Sequence, residues 1–249
     1  MKTKLAIVPA HNEAEAIAST VAAIRSWAPD FDVVVIDDGS TDATAKVAHS
    51  AGARVLRPPF NLGIGGAMQT GYIYARDHGY EVAVQIDGDG QHDPRYIPEL
   101  LKRLNGDDVS IVTGSRFLQQ EGEGYKSSAA RRVGIRIFSK VISALTRQRV
   151  TDPTSGLRMT DGRAFELFAH DYPHDYPEVE AILLLHAHRL GSCEIPVLMR
   201  PRLTGESSIS SAQSMYYMVK VLLALVVGSL RARPVAPFGD MALTAEGAR

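Results

Sequence analysis

Short runs of β-branched and aliphatic residues recur along the chain, and each stops abruptly on polar groups: residues 5–8, 33–36, 54–56, 82–86, 109–113 and 193–198. Their length and composition predict strands. The segments between them carry a different period. Ile17, Val21 and Ile24 fall on one face of a helix predicted over residues 14–27, and residues 43–51 form a second helix behind Ser40-Thr41-Asp42, a set of good N-cap residues. A third runs from the glycine-rich stretch Asn61-Leu-Gly63-Ile-Gly65-Gly66-Ala67 to about Asp77. Asp93-Pro94 reads as N-cap and N1 of a fourth, ending near Leu104. Strand, helix, strand in alternation predicts an α/β fold with a mostly parallel sheet flanked by helices, and with ligands at the carboxyl ends of the strands.

Beyond residue 115 the pattern changes. Residues 118–128, with Gln119-Gln-Glu-Gly-Glu-Gly124, read as a mobile loop. An amphipathic helix follows, with Val133, Ile137, Phe138, Val141, Ile142 and Leu145 expected on one buried face and Arg132, Arg136 and Lys140 spaced four apart on another. Thr151-Asp152-Pro-Thr-Ser155-Gly156-Leu-Arg158 is a turn-forming cluster rich in reactive groups, and Tyr176-Pro-Glu178-Val-Glu180 precedes a helix through about Arg189. Residues 215–230 are mostly apolar but broken by Lys220. The uninterrupted part falls short of the ~20 residues a bilayer span needs, so residues 213–233 are expected to form an amphipathic or interface helix before a disordered tail, residues 234–249.

Composition narrows the classes. With 249 residues, 45% hydrophobic and 22% charged, the chain can bury a full core. The single cysteine, Cys193, leaves no internal disulfide and no cysteine-rich zinc site, and no signal peptide is apparent, so a cytoplasmic location is expected. The net charge of -1 hides an uneven distribution: -5 over residues 1–115, +6 over 116–149 and -2 over 150–249. A basic centre between two acidic flanks could meet an anionic lipid surface or a phosphate-bearing substrate. With a pI of about 6.7 and no nucleic-acid-binding motif, no nucleic-acid partner is expected.

The chemistry gathers where strands end. The run at 82–86 stops on Asp87-Gly-Asp89-Gly-Gln91-His92. Alternate side chains of an extended segment project to the same side, so Asp87 and Asp89 can reach one point beyond the strand. Two carboxylates so placed repel unless a cation sits between them, and Mg²⁺ or Mn²⁺ bound to substrate phosphates suits such a loop. A plain Asp/Gly turn fits the same residues taken alone. The first strand ends in Pro9-Ala10-His-Asn12-Glu13 and the second in Asp37-Asp38-Gly39-Ser40. Capping does not explain Asp37 and Asp38. The glycines at 63, 65 and 66 allow backbone to approach either a ligand or another helix. Met68 stands where a dinucleotide fingerprint needs glycine, which argues against a classical NAD-binding domain.

Together with Gly114-Ser-Arg116, Asp152-Pro-Thr-Ser-Gly-Leu-Arg158 and Arg202-Leu-Thr-Gly-Glu-Ser-Ser208, these stretches fall in an order that resembles the family 2 glycosyltransferases of the GT-A fold, most closely the dolichyl- or polyprenyl-phosphate sugar synthases. The resemblance spans residues 5 to about 210. It implies transfer of a sugar from a nucleotide-diphosphate sugar to polyprenyl phosphate, with inversion. Asp38 would bind the base or ribose, with Pro9, Ala10, Asn12, Glu13, Gly65, Asp87 and Gly88 completing the donor site. Asp87 and Asp89, assisted by Gln91, would hold the divalent ion. Arg116, Arg131, Ser155 and Arg202 would surround the acceptor phosphate, and Asp152, Arg116 and Arg202 form the expected catalytic set. Asp152 would be the base if the acceptor were a hydroxyl, since a phosphate acceptor is already an anion. Residues 1–212 would then be the catalytic domain, divided near residue 115 into a donor half and an acceptor half.

Such an enzyme would sit peripherally on the inner face of the cell membrane, directly or through a membrane-protein partner, and could form a homo-oligomer. Two alternatives stand beside it. One is transfer to a polysaccharide, a protein or a small hydroxyl acceptor. The other is a non-catalytic nucleotide-sugar-binding subunit, against which the intact carboxylate pair argues.

Overall fold

The computed structural model describes residues 3–118, 129–174 and 176–200, and for residues 129–131 the backbone only. Seven strands form one sheet: β1 (Lys4–Ala10), β2 (Phe31–Asp37), β3 (Arg54–Leu56), β4 (Val82–Gln85), β5 (Ile111–Ser115), β6 (Arg158–Asp161) and β7 (Ser192–Pro196), in spatial order β3-β2-β1-β4-β6-β5-β7. All neighbours run parallel except β6, which is antiparallel to both β4 and β5. The alternation of side chains along each strand divides the core in two. Ala6, Val8, Val33, Val35 and Val84 face one side, where α1 (Ile17–Trp27) and α4 (Ile97–Gly106) cover them with Val21, Ile24, Leu100 and Leu104. Leu5, Ile7, Val34, Ile36 and Ala83 face the other, under α3 (Gly63–Asp77), α6 (Gly162–His170) and α7 (Pro177–Ala187). Helix α2 (Thr44–Ser50) adds Ala48 to the first layer.

The short β6 and helix α6 are elements that the hydrophobic pattern did not single out. β6 is four residues long and opens with an arginine, so it lacks the apolar run by which the other strands were read. Helix α6 is capped by Asp161, whose carboxylate accepts from the Ala164 N–H at 2.9 Å. Its Phe168 meets Tyr72 of α3 and Tyr172 with ring centroids 5.2 and 5.0 Å apart. Removing such a ring costs about 3–5 kcal/mol. Close packing of α3 on β1 depends on Gly71, where a Cβ would lie 2.3 Å from Ile7 Cγ2.

Helix α5 (Ala129–Thr146) departs from its expected orientation. Its buried stripe is Ile135, Phe138 and Ile142, of which Phe138 and Ile142 pack with Val150 and with Val179 and Ile182 of α7. Val133, Ile137 and Leu145, expected inside, are 54%, 42% and 37% exposed. The reason is the width of the partner: α7 and Val150 cover only one stripe, so the second apolar row lies at the surface beside exposed Arg132, Arg136 and Lys140. Residues 119–128, expected as a loop, and the expected helix 213–233 and tail 234–249 lie outside the described residues. Among the described residues no helix is long and apolar enough to cross a membrane.

Candidate active site

Parallel strands β2, β1 and β4 end side by side, and their terminal residues form a cleft of about 220 Å³ lined by Pro9, Ala10, His11, Glu13, Asp38, Ile64, Ala67, Asp87, Gly88 and Asp89. The strand ends are tied to one another: the Asp38 N–H donates to Ala10 O at 2.9 Å and the Gly88 N–H to Pro9 O at 3.1 Å. Gly88 is closely packed: a Cβ would lie 3.1 Å from Ala10 Cβ and from Pro9 O, so either neighbour would have to give by a few tenths of an ångström. Asp38 is buried, and its carboxylate accepts from the Leu62 N–H at 2.7 Å, which ties β2 to the start of α3. Its neighbour Asp37 pairs with Arg57 at 2.8 Å.

Of the expected donor and metal residues, Pro9, Ala10, Glu13, Asp38, Asp87, Gly88 and Asp89 line the cleft, whereas Asn12, Gly65 and Gln91 do not. Asn12, at φ 56°, clips two turns together: its N–H donates to Ser40 Oγ at 2.9 Å and its Oδ1 accepts from the Thr41 N–H at 2.9 Å. Gly65 serves packing. A Cβ there would come within 2.6 Å of the backbone at Pro173 and His174, so the close approach its sequence context promised is to the chain itself. Three lining residues, His11, Ile64 and Ala67, escaped the sequence reading. His11 projects beside Asp38, with Nδ1 2.8 Å from Asp38 O, and Ile64 is 40% exposed at the start of α3. Their signal was position alone, since each sits inside a motif read for other residues.

The loop after β4 holds its carboxylates by short-range bonds. The Asp89 carboxylate accepts from the Gln91 N–H at 3.0 Å, and Gln85 Nε2 lies 3.3 Å from Asp87 Oδ1. Asp87 keeps 35% of its side chain exposed toward the cleft. Among the described residues no group of three or more His, Cys, Asp or Glu side chains is arranged to hold a metal. Hard oxygen donors in a pair, open to an anionic ligand, nevertheless fit a Mg²⁺ or Mn²⁺ ion whose shell a diphosphate completes.

On the far side of β4 the segment 150–157 brings a second cluster to the same edge. Asp152 is fully buried and bound by Arg116 through two bonds, Nε to Oδ2 at 2.6 Å and Nη2 to Oδ1 at 2.7 Å, with the Arg116 N–H adding a third at 3.1 Å. The residue expected as base for a hydroxyl acceptor is thus the counter-ion of the arginine expected to meet phosphate. Arg116 also donates to Thr154 Oγ1 at 2.8 Å and approaches Met199 Sδ at 3.6 Å. Ser155 is buried, and its carbonyl accepts from Arg158 Nε at 2.7 Å. The side chain of Arg131 and the whole of Arg202 lie outside the described residues.

Residues far away in sequence support this segment. Glu194 of β7 accepts from the N–H groups of Thr151 and Asp152 at 2.9 Å and from Thr151 Oγ1 at 2.6 Å. A charged residue within a predicted strand was the only hint. Arg158 Nη2 donates to Pro153 O at 2.9 Å from a side chain 1% exposed. Asp93 joins the segment after β7 to the carboxylate loop by accepting from Arg200 Nη2 at 2.9 Å, while the Arg200 N–H donates to Gln91 O at 2.9 Å. Burial raises the pKa of Asp93, but its bonds from Arg95 and the charge of Arg200 outweigh that and hold it below the usual carboxylate range. At the first turn of α7, burial pushes Glu178 above that range against the pull of Arg158.

Comparison with known proteins places the cleft in a family. The family model described as Glycosyl transferase family 2 matches residues 5–168. An undecaprenyl-phosphate mannosyltransferase of Micrococcus luteus is 30% identical over 216 residues, which cover 83% of this chain and 87% of that protein. A polyprenol monophosphomannose synthase of Mycolicibacterium smegmatis is 27% identical over 246 residues, 93% of this chain and 90% of that protein. Among solved structures, glucosyl-3-phosphoglycerate synthase from Mycobacterium tuberculosis, in complex with Mn²⁺, uridine diphosphate and phosphoglyceric acid, superposes with a TM-score of 0.69 at 20% identity. That superposition covers 94% of this chain and 80% of that one.

Proposed function

Because the chain belongs to glycosyl transferase family 2 and is an enzyme of that family, we propose that it moves a sugar from a nucleotide-diphosphate sugar to a polyprenyl phosphate, with inversion at the anomeric carbon. The observation that carries the reading is the juxtaposition of two unlike clusters along one sheet edge, the cleft-lining carboxylates Asp38, Asp87 and Asp89 and the guanidinium of Arg116. In this reading Asp38, Pro9, Ala10 and Glu13 receive the nucleoside, and Asp87 and Asp89, with Gln91 beside them, hold a divalent ion against the diphosphate. When bound, that ion neutralises the charge gathering on the departing nucleoside diphosphate.

An acceptor phosphate oxygen attacks the anomeric carbon as the bond to the diphosphate breaks, and the electron pair leaves with the nucleoside diphosphate. The attacking oxygen is already anionic, so no proton need be removed. Arg116 supplies attraction where two anions would otherwise repel, and a guanidinium suits phosphate oxygens. Asp152 holds that guanidinium in place, a role that fits its burial better than proton abstraction does. Arg131, Ser155 and Arg202 would complete the acceptor site, with residues 1–115 as the donor half, 116–212 as the acceptor half and 213–233 as an interface helix.

The acceptor's lipid tail calls for a membrane surface. The exposed row Val133, Ile137 and Leu145 beside Arg136 and Lys140 supports docking of α5 on an anionic leaflet, apolar side chains inserted and basic ones at the headgroups.

The test supplies purified protein with membranes and radiolabelled UDP-, GDP- and dTDP-sugars in turn. The expected result is organic-extractable label from one donor, lost in Asp89→Ala while circular dichroism stays unchanged. Label that remains water-soluble with every donor refutes the lipid acceptor. Unchanged turnover in Asp89→Ala refutes the assigned metal site.

A further inference from the structure

The loop 87–92 closes on itself through a side chain that the proposed reaction leaves unused. His92 is 2% exposed, and its Nδ1 accepts the Asp87 N–H at 3.1 Å. A nitrogen that accepts carries no hydrogen, so the neutral ring is the tautomer with its hydrogen on Nε2. That nitrogen lies 3.7 Å from Asp87 Oδ2, while Gln85 Nε2 lies 3.3 Å from Oδ1. Each carboxylate oxygen therefore has a protein N–H group nearby and keeps lone pairs for a ligand. Gly156 presses on the same group from the segment that carries Asp152: a Cβ there would stand 3.0 and 3.1 Å from the two Asp87 oxygens and 3.1 Å from His92 Cε1. Gly90, at φ 75°, gives the loop the left-handed turn that lets His92 reach back.

We propose that His92 is a positioning residue for divalent-ion binding, fixing the Asp87 backbone and thereby the aim of its carboxylate. The inference rests on Asp87 as a metal ligand. It goes beyond that reading by naming the group that makes the carboxylate competent before the ion arrives. A buried histidine that merely closed a turn would affect folding and leave ion affinity in the folded protein unchanged. Mutating a residue that hydrogen-bonds and orients a metal ligand typically costs about 10–100-fold in metal affinity or activity.

The Nδ1 bond and the longer Nε2 contact can be separated by substitution. Asparagine sets its Oδ1 where His92 Nδ1 stands and retains the bond to the Asp87 N–H. Glutamine reaches instead to the Nε2 position. The probe is Mn²⁺, titrated by electron paramagnetic resonance into the full-length protein with UDP and, separately, with GDP, beside thermal unfolding midpoints. His92→Ala is expected to weaken Mn²⁺ binding about tenfold or more, and His92→Asn to stay within about threefold of wild type. Wild-type affinity in His92→Ala, where Asp87→Ala binds poorly, overturns the inference and leaves the metal reading standing. Wild-type affinity in Asp87→Ala overturns both. Where His92→Ala does not fold, the comparison of His92→Asn with His92→Gln decides: tighter binding by the asparagine variant supports the proposal, and equal or weaker binding overturns it.

Discussion

Removal of Asp152 isolates the energetic weight of the acceptor cluster. Its carboxylate is fully buried and accepts from Arg116 Nε, Nη2 and the backbone N–H, and from Thr154 Oγ1 at 3.2 Å. The Arg116 side chain is 4% exposed, so Asp152→Ala leaves a guanidinium out of water without its counter-ion. Breaking a buried pair from one side costs about 3–5 kcal/mol, against a total folding stability of about 5–15 kcal/mol. For a chain of this size each kcal/mol corresponds to about 2–4 °C, so the midpoint should fall by roughly 6–20 °C. Urea unfolding followed by circular dichroism gives the free energy directly. Arg116→Met combined with Asp152→Ala should be more stable than the sum of the two single losses by more than about 1 kcal/mol, because both charges are then absent. A loss below about 1 kcal/mol for Asp152→Ala, or additivity in the double variant, would refute the claim that the two act as one buried unit.

Two further expectations concern α5 and α7. Arg136→Glu with Lys140→Glu should weaken cosedimentation with phosphatidylserine-containing vesicles by at least about tenfold, at roughly 1 kcal/mol per basic residue, while Ile137→Ser weakens binding even at high salt. Binding unaltered by all three changes would rule out α5 as the docking face. Glu178 has its pKa raised in the folded state, by burial first and with Arg158 opposing, so the native chain holds that proton more tightly than the unfolded one. Its contribution is fully present below the unfolded value of about 4.5 and is lost as pH rises through the folded value. Glu178→Gln should therefore gain in melting temperature relative to wild type as pH rises through that window, and a difference that is flat or shrinking with pH would contradict the assignment.

Wherever an element both repeats a period and ends on capping or turn residues, sequence and structure agree, as at Asp93, whose carboxylate accepts from the Arg95 N–H at 3.1 Å before α4 begins. The donor cleft was legible for a similar reason. Parallel strands bring their ends to one edge, so residues just past β1, β2 and β4 had to meet. The same logic fails for α5, since amphipathic spacing identifies an apolar face without saying how much of it a neighbour covers. It fails again at Gly65, because a glycine reports close approach but not what approaches. The supports of Asp152, namely Glu194 and Arg116, lie 42 and 36 residues away along the chain, and no local pattern records such pairings. Arg158 was read as the end of a turn, while in the fold it opens a strand.

That strand sets a length. Through Arg158, β6 faces Gln85 on β4 and Thr113 on β5, and Asp87 and Arg116 lie just beyond those two positions. A two-residue slip in either ladder would keep every side chain on its own face, and hydrophobic burial alone would not forbid it. It would, however, move one cluster past the other by about 6.6 Å. Productive geometry tolerates about 0.5 Å. The spacing between the two clusters is thus written in hydrogen-bond register rather than in loop length. An engineer exchanging acceptor segments between relatives should cut outside residues 150–161, carrying the loop and its measuring strand as one piece.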